Sequence, residues 1–230
     1  MTSWADMVPI GDGVIDGSPV PGGVVGVLLA AGAGRRAGGP KALRHDPNGT
    51  SWLVRSTLVL RHGGCDSVIV VLGCAADRAR DLLTGSGTDQ DRWMTVVEEP
   101  GWERGLATSL RAGLVAAEPR RPVVVHLVDL TDVTAVVVRR MLQQAAAGPG
   151  VLARATYDGR PGHPVLIGAD HRAAVLADLI ADQGANNYLR RHHVVGVPCG
   201  DLATGRDRDT TGTEEGDGVS DQDGNGVASG

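Results

Sequence analysis

"LLAAGAGRRAGGPKAL", residues 28–43, is where an apolar run stops and gives way to glycines, arginines, a proline and a lysine. The run behind it, "VVGVLLAA" (24–31), is apolar throughout and reads as a strand buried on both faces. A glycine-rich loop straight after such a strand lets backbone amides approach an anion, so the stretch reads as a phosphate-binding loop. Gly32, Gly34 and Ala37 satisfy G-x-G-x-x-[GA], which keeps a dinucleotide fold in competition. That fold needs an unbroken helix after the loop, and Gly38-Gly39-Pro40 would break one. It also needs an acid ending a second strand about 20 residues on. Here that stretch is "TSWLVRSTLVLRHG", helical in spacing and free of acids. The loop therefore reads as long and basic. It also holds Lys41, the single lysine among 22 basic residues. An ammonium is a compact point charge that can follow a moving phosphate, where a guanidinium is a planar fork.

Outward from this loop, strand-like and helix-like runs alternate. "SVIVVLG" (67–73), "MTVVEE" (94–99) and "VVVHLVDL" (123–130) read as strands. "WLVRSTLVLRHG" (52–63), "AADRARDLLTG" (75–85), "TSLRAGLVAAE" (108–118) and "VTAVVVRRMLQQAAAG" (133–148) read as helices. Two strand-like runs, "VLARATY" and "HPVLIG", flank "DGRPG". Helices near 170–180 and 184–192 and a last strand "VVGVP" follow. This alternation predicts an α/β domain with a mostly parallel sheet covered on both faces. Ligands bind such sheets beyond the carboxyl ends of the strands, which points to the loops after Ala31, Gly73, Glu99 and Val128.

The composition bounds the partners. With 42% hydrophobic residues and no Phe, the core must be built from Val, Leu, Ala and Ile. The formal net charge of −5 offers no attraction to nucleic acid or anionic lipid, and no apolar run approaches the ~20 residues of a membrane span. No secretory signal is visible, and the three cysteines, Cys65, Cys74 and Cys199, lack C-x-x-C spacing; reduced thiols and a cytoplasmic setting are expected. Residues 1–22 read as a flexible segment and 23–210 as the domain. Residues 211–230 read as a disordered acidic tail, because almost nothing in them could be buried. Alternating Asp221, Asp223 and Asn225 lack the late glutamate of a calcium loop.

Asp129 is the leading metal-ligand candidate. It ends a strand that is apolar apart from His126, and a carboxylate there is unfavourable unless something binds it. As a cap for the following helix, Asp132 is the better placed. His126 reads as a satisfied core histidine, and Ser109 as either an anion-facing hydroxyl or a helix cap.

Six segments in register resemble one family. Residues 28–43 are similar to L-A-A-G-x-G-x-R-M-G-x-P-K, the signature loop of the MobA-like nucleotidyltransferases, through Gly32, Gly34, Arg36, Gly38, Pro40 and Lys41, with Ala37 in place of Met. "EPGWERGLATSLRAGL" (99–114) resembles N-P-x-W-x-x-G-M-x-x-S-L-x-x-G-L, and "LVDL" (127–130) the Asp-Met-Pro segment. "GRPGHPVLI" (159–167), "DQGANNYL" (182–189) and "DRDT" (207–210) resemble G-x-x-G-H-P-V-L, D-x-G-A-R and D-I-D-T. Glu99 stands for the usual Asn, Leu130-Thr131 for Met-Pro, and Asn186 for Arg.

The resemblance implies a three-layer α/β/α fold with a mostly parallel Rossmann-like sheet of the nucleotide-diphospho-sugar transferase kind. It implies a Mg2+-dependent transfer of a nucleoside monophosphate from an NTP to a phosphorylated acceptor. The acceptor is a molybdopterin-type cofactor and the nucleotide CTP first, GTP second. Ala30-Ala31-Gly32 resembles the cytidylyl branch. Arg36, Lys41 and Asp129 are then the catalytic residues. Leu29, Ala30, Ala31, Gly32, Gly34, Gly73, Glu99 and Ser109 join Arg36 and Lys41 around the nucleotide. Asp207 and Asp209 join Asp129 on the metal, and His163, Asp182 and Gly184 lie on the acceptor side. Two alternatives stay open: a non-catalytic maturation partner of a molybdenum hydroxylase, and an NAD(P)-dependent oxidoreductase using the G-x-G-x-x-A loop.

Overall fold

The computed structural model describes residues 23–35, 38–87, 92–180 and 183–208. Arg36, Asp182 and Asp209, and both terminal segments, lie outside the described residues. Seven strands form one sheet in the order β3-β2-β1-β4-β6-β5-β7. They are β1 (Val25–Ala30), β2 (Ser67–Leu72), β3 (Met94–Glu98), β4 (Val123–Leu127), β5 (Leu152–Tyr157), β6 (Arg160–Ile167) and β7 (Val195–Pro198). The helices are α1 (Trp52–His62), α2 (Ala76–Gly85), α3 (Leu106–Ala116), α4 (Ala135–Gln144), α5 (Arg172–Asp178) and α6 (Asn186–Arg190).

Strands β1 to β4 pair in parallel, and β7 pairs in parallel with β5. Only β6 is antiparallel, to both β4 and β5. Its reversal comes from the Asp158-Gly159 turn, where both residues hold positive φ (51° and 76°) and Tyr157 faces Arg160. Two consecutive positive-φ positions give a two-residue hairpin whose twist matches the flanking strands.

Alternation along each strand divides the apolar residues between two cores. Leu28, Val70, Leu72, Val124 and Leu166 meet Leu53, Leu60, Leu83 and Met141 on one face. Val27, Leu29, Val71, Val125 and Val165 meet Leu110, Leu114, Val175 and Leu189 on the other. Both faces are covered, which is why the strands read as unbroken apolar runs. Helix α3 lies close on β1 because residue 113 is glycine: a β-carbon there would sit 2.5 Å from Val27 Cγ1. Among the described residues, no helix is long and apolar enough to cross a membrane.

Three expectations need correction. The helix expected from Thr108 begins at Leu106 with Gly105 before it, so Ser109 is a buried residue of its first turn and not its cap. Asp132 does not cap α4; Thr134 precedes that helix without a side-chain cap, and Asp132 Oδ2 accepts from Thr204 N and Oγ1, both at 2.6 Å. His126 is fully buried but not satisfied: neither ring nitrogen has a hydrogen-bond partner among the described residues.

Candidate functional site

The loop after β1 closes on itself. Gly39 N donates to Gly34 O at 3.1 Å, and Gly34 holds φ +56°. A β-carbon on Gly34 would fall on the Gly39 carbonyl, so the fold itself requires glycine there. Gly32 differs. A β-carbon there would meet nothing within 4 Å. Packing does not require that glycine; the space beside its backbone stays open.

Pro40 ends the loop with φ −56°, and a short 3-10 turn, Lys41–Leu43, follows. That turn aims Lys41 across the end of β1. Its Nζ donates to Asp129 Oδ2 at 2.6 Å, in the turn after β4, with the two side chains only 17% and 13% exposed. The other oxygen, Asp129 Oδ1, is buried and has no partner among the described residues. A buried carboxylate oxygen left unpaired is unfavourable, and the residue that carries it lines open space.

That space is a cleft of about 490 Å3. Leu29, Ala30, Ala31, Gly32, Gly34, Lys41, Ser109 and Asp129 all line it, at the carboxyl ends of β1 and β4 and the start of α3. Further lining residues were not among the expected site residues, with Arg35, Trp102, Glu103 and Leu106 the bulkiest of those outside the strands. Trp102 had a sequence signal, an aromatic in the loop after the third strand of a chain only 3% aromatic.

Two expected nucleotide contacts stand behind the wall. Gly73 lies beneath Trp102, where a β-carbon would sit 2.7 Å from both Cβ and Cγ of the indole. The Glu99 carboxylate accepts from Gly101 N at 2.7 Å and pairs with Arg104 at 3.8 Å, so it ties down the loop that carries Trp102.

The expected acceptor residues His163 and Gly184 line a small neighbouring cavity of about 30 Å3. It shares Leu29 and Leu106 with the cleft. Burial, and then the Arg154 guanidinium, push the His163 imidazole down to about 4 against the opposing pull of Asp129, so its ring is neutral at neutral pH. Asp207 is exposed and lines a separate hollow with Asp46, Arg55, Asp132 and Thr204. That hollow adjoins Asp129 through Arg208 N, which donates to Asp129 O at 3.3 Å.

Among the described residues, no group of three or more His, Cys, Asp or Glu side chains is arranged to hold a metal ion. A single carboxylate oxygen with substrate phosphates and water is nevertheless a donor set that magnesium accepts. Asp129 Oδ1 fits that requirement.

The chain is similar to known proteins over most of its length. Residues 26–195 match the MobA-like NTP transferase domain. The nicotine blue oxidoreductase of Paenarthrobacter nicotinovorans is 34% identical over 197 residues, which span 81% of this chain and 92% of that protein. The crystal structure of the Rv0371c homologue from Mycobacterium sp. strain JC1 is 30% identical with a TM-score of 0.66, covering 81% of this chain and 90% of that one. Rv0371c of Mycobacterium tuberculosis H37Rv, solved in complex with manganese, is 29% identical with a TM-score of 0.60, covering 76% and 88%. The three-layer fold of the nucleotide-diphospho-sugar transferase kind is the one expected from the sequence.

Proposed function

The chain belongs to the MobA-like NTP transferase family, and from that premise we propose that it moves a nucleoside monophosphate from an NTP to a phosphorylated acceptor, releasing pyrophosphate. The observation that carries this reading is the Lys41–Asp129 pair beneath the glycine loop, with one carboxylate oxygen left unpaired among the described residues. The reaction is limited by repulsion between anions, by alignment for in-line attack and by charge on the leaving group. The open backbone at Gly32 and the turn at Gly34 cradle the phosphates. Lys41 meets charge as it develops on the α-phosphate. Arg36 neutralises the departing pyrophosphate by bidentate contact. Asp129, with Asp207 or Asp209, would hold a divalent cation, magnesium in this reading, which would supply positive charge to screen and orient the phosphates. The manganese complex of a relative supports a divalent ion here.

CTP is the first nucleotide, on the strength of Ala30-Ala31-Gly32, and a molybdopterin-type cofactor the first acceptor. His163, Asp182 and Gly184 form the acceptor side. The transferase unit is residues 23–210, working in the cytoplasm. The test is pyrophosphate release with each of the four triphosphates, with and without magnesium and acceptor. Release with one triphosphate supports the reading. Acceptor binding without release favours the maturation partner of a molybdenum hydroxylase instead.

A second reading has one observation behind it: the 34%-identical relative is named as an oxidoreductase. The loop geometry weighs against a dinucleotide turn, because among the described residues the next α-helix after β1 begins at Trp52 and no acid ends β2. Oxidation of NAD(P)H followed by absorbance, with no pyrophosphate release, would replace the first reading with this one.

A further inference from the structure

We propose that Trp102 is the stacking wall for the nucleobase and that Gly73 is its positioning residue; the inference rests on the nucleotidyl-transfer reading above. The sheet order sets the geometry. β1 and its phosphate loop lie between β2 and β4, and Asp129 follows β4 on one side. The segment carrying Trp102 follows β3, on the opposite side of β1. β3 and β4 are three strand spacings apart, roughly 14 Å. A nucleotide whose phosphates sit at Lys41 and Asp129 must run its nucleoside toward Trp102, because both ends border one cleft.

Among the described residues, Trp102 is the single aromatic side chain lining that cleft. Its backbone is fixed by Trp102 N donating to Glu99 O at 3.2 Å and Gly105 N donating to Trp102 O at 3.2 Å. The root of its side chain rests on Gly73. Any side chain at position 73 must displace either the indole or the Ala31 carbonyl, which lies 2.8 Å from where a β-carbon would be. Glycine at 73 thus explains where the indole stands. Every base offers a π-face, so a stacking wall contributes affinity for the nucleoside without choosing among bases.

The experiment compares CTP with inorganic tripolyphosphate on the full chain, by tryptophan fluorescence and calorimetry. CTP quenches the wild type and tripolyphosphate does not. Trp102→Leu loses the quench and binds CTP roughly tenfold more weakly, while its affinity for tripolyphosphate is unchanged. Trp102→Phe recovers part of the CTP affinity, because a smaller ring still stacks. Trp52→Phe keeps the quench, since Trp52 is buried away from the cleft and bonded to Asp46. Gly73→Ala weakens CTP more than it weakens tripolyphosphate, because the new methyl meets the root of Trp102 as well as the Ala31 carbonyl. Equal CTP affinity in Trp102→Leu and wild type, both folded by melting temperature, overturns the stacking role alone. A wild type that binds neither tripolyphosphate nor any nucleoside triphosphate overturns this inference and the nucleotidyl reading together.

Discussion

Two carboxylates near the end of the sheet are each held by a cation, and they are not equivalent. Asp46 uses both oxygens. Oδ1 accepts from Trp52 Nε1 at 2.9 Å and from Arg208 at 3.3 Å, and Oδ2 is paired with Arg55. Asp129 uses one oxygen, on Lys41, and leaves the other buried and unpaired among the described residues. Side-chain exposure is 13% in both, so burial does not separate them. Saturation does. The Asp46 cluster ties the 3-10 turn, α1 and the 204–208 segment together, and both oxygens of its carboxylate are partnered. The Asp129 pair borders a cleft, beside a glycine that packing does not require. At Asp129 an unpartnered carboxylate oxygen, an open cleft and the glycine loop coincide.

The largest effect is expected at Asp129. Asp129→Asn keeps the shape and removes the charge. Turnover should fall by roughly 10²–10³-fold, with a melting temperature only modestly lowered, because the amide still accepts from Lys41 while the counter-charge is lost. Lys41→Ala should lower turnover on a similar scale and affect triphosphate affinity less, and Lys41→Arg should rescue it only in part. Pyrophosphate release at saturating magnesium measures both. Unchanged turnover in Asp129→Asn would erase the contrast with Asp46.

Asp46→Ala should do the reverse. It strands Arg55, whose Nη2 is already buried without a partner, and should lower stability by about 2 kcal/mol, or roughly 4–8 °C in melting temperature. Turnover should stay close to wild type. The glycines sharpen the same contrast. Gly34→Ala forces a left-handed residue at about 1–2 kcal/mol and displaces the Gly39 carbonyl, so thermal denaturation should show the loss. Gly32→Ala should melt as wild type does and bind triphosphate severalfold more weakly by calorimetry.

The smallest effect concerns pH. Burial first, with nearby His163 and Arg55 adding to it, pushes His126 down to about 3, and His163 lies at about 4. An unfolded imidazole titrates near 6.5. Below that value the unfolded chain binds more protons than the folded one, so stability is full above about pH 7 and falls as the pH drops toward 4. His126→Leu should flatten that decline. Melting at pH 5 should improve over wild type, with a change within about 1 kcal/mol at pH 8. An identical pH slope in the variant would show that the buried ring does not titrate on unfolding.

Most of the fold was legible because it depends on local spacing. Apolar runs such as 24–31 and 67–73 declared strands buried on both faces, and observed ends fall within a residue or two of those expected. The helix expected over 133–148 is shorter, Ala135–Gln144, because Ala145 leads out toward a positive-φ turn at Ala146. The glycine loop was legible for the same reason: Gly34 and Pro40 impose backbone geometry wherever the chain goes. The cleft was legible as a set of strand ends.

What the sequence determined by itself was therefore the set of elements, the sheet class and the loop that carries Lys41. Tertiary structure alone decided which polar groups meet. Lys41 and Asp129 are 88 residues apart, and Asp132 and Thr204 are 72 apart. Asp132 read as a helix cap until docking gave it Thr204, and His126 read as satisfied until packing buried it fully without a partner among the described residues. A strand-end carboxylate has the same local pattern whether it is saturated, half-paired or capping a helix. Its role depends on where distant elements bring their donors, and no local spacing encodes that.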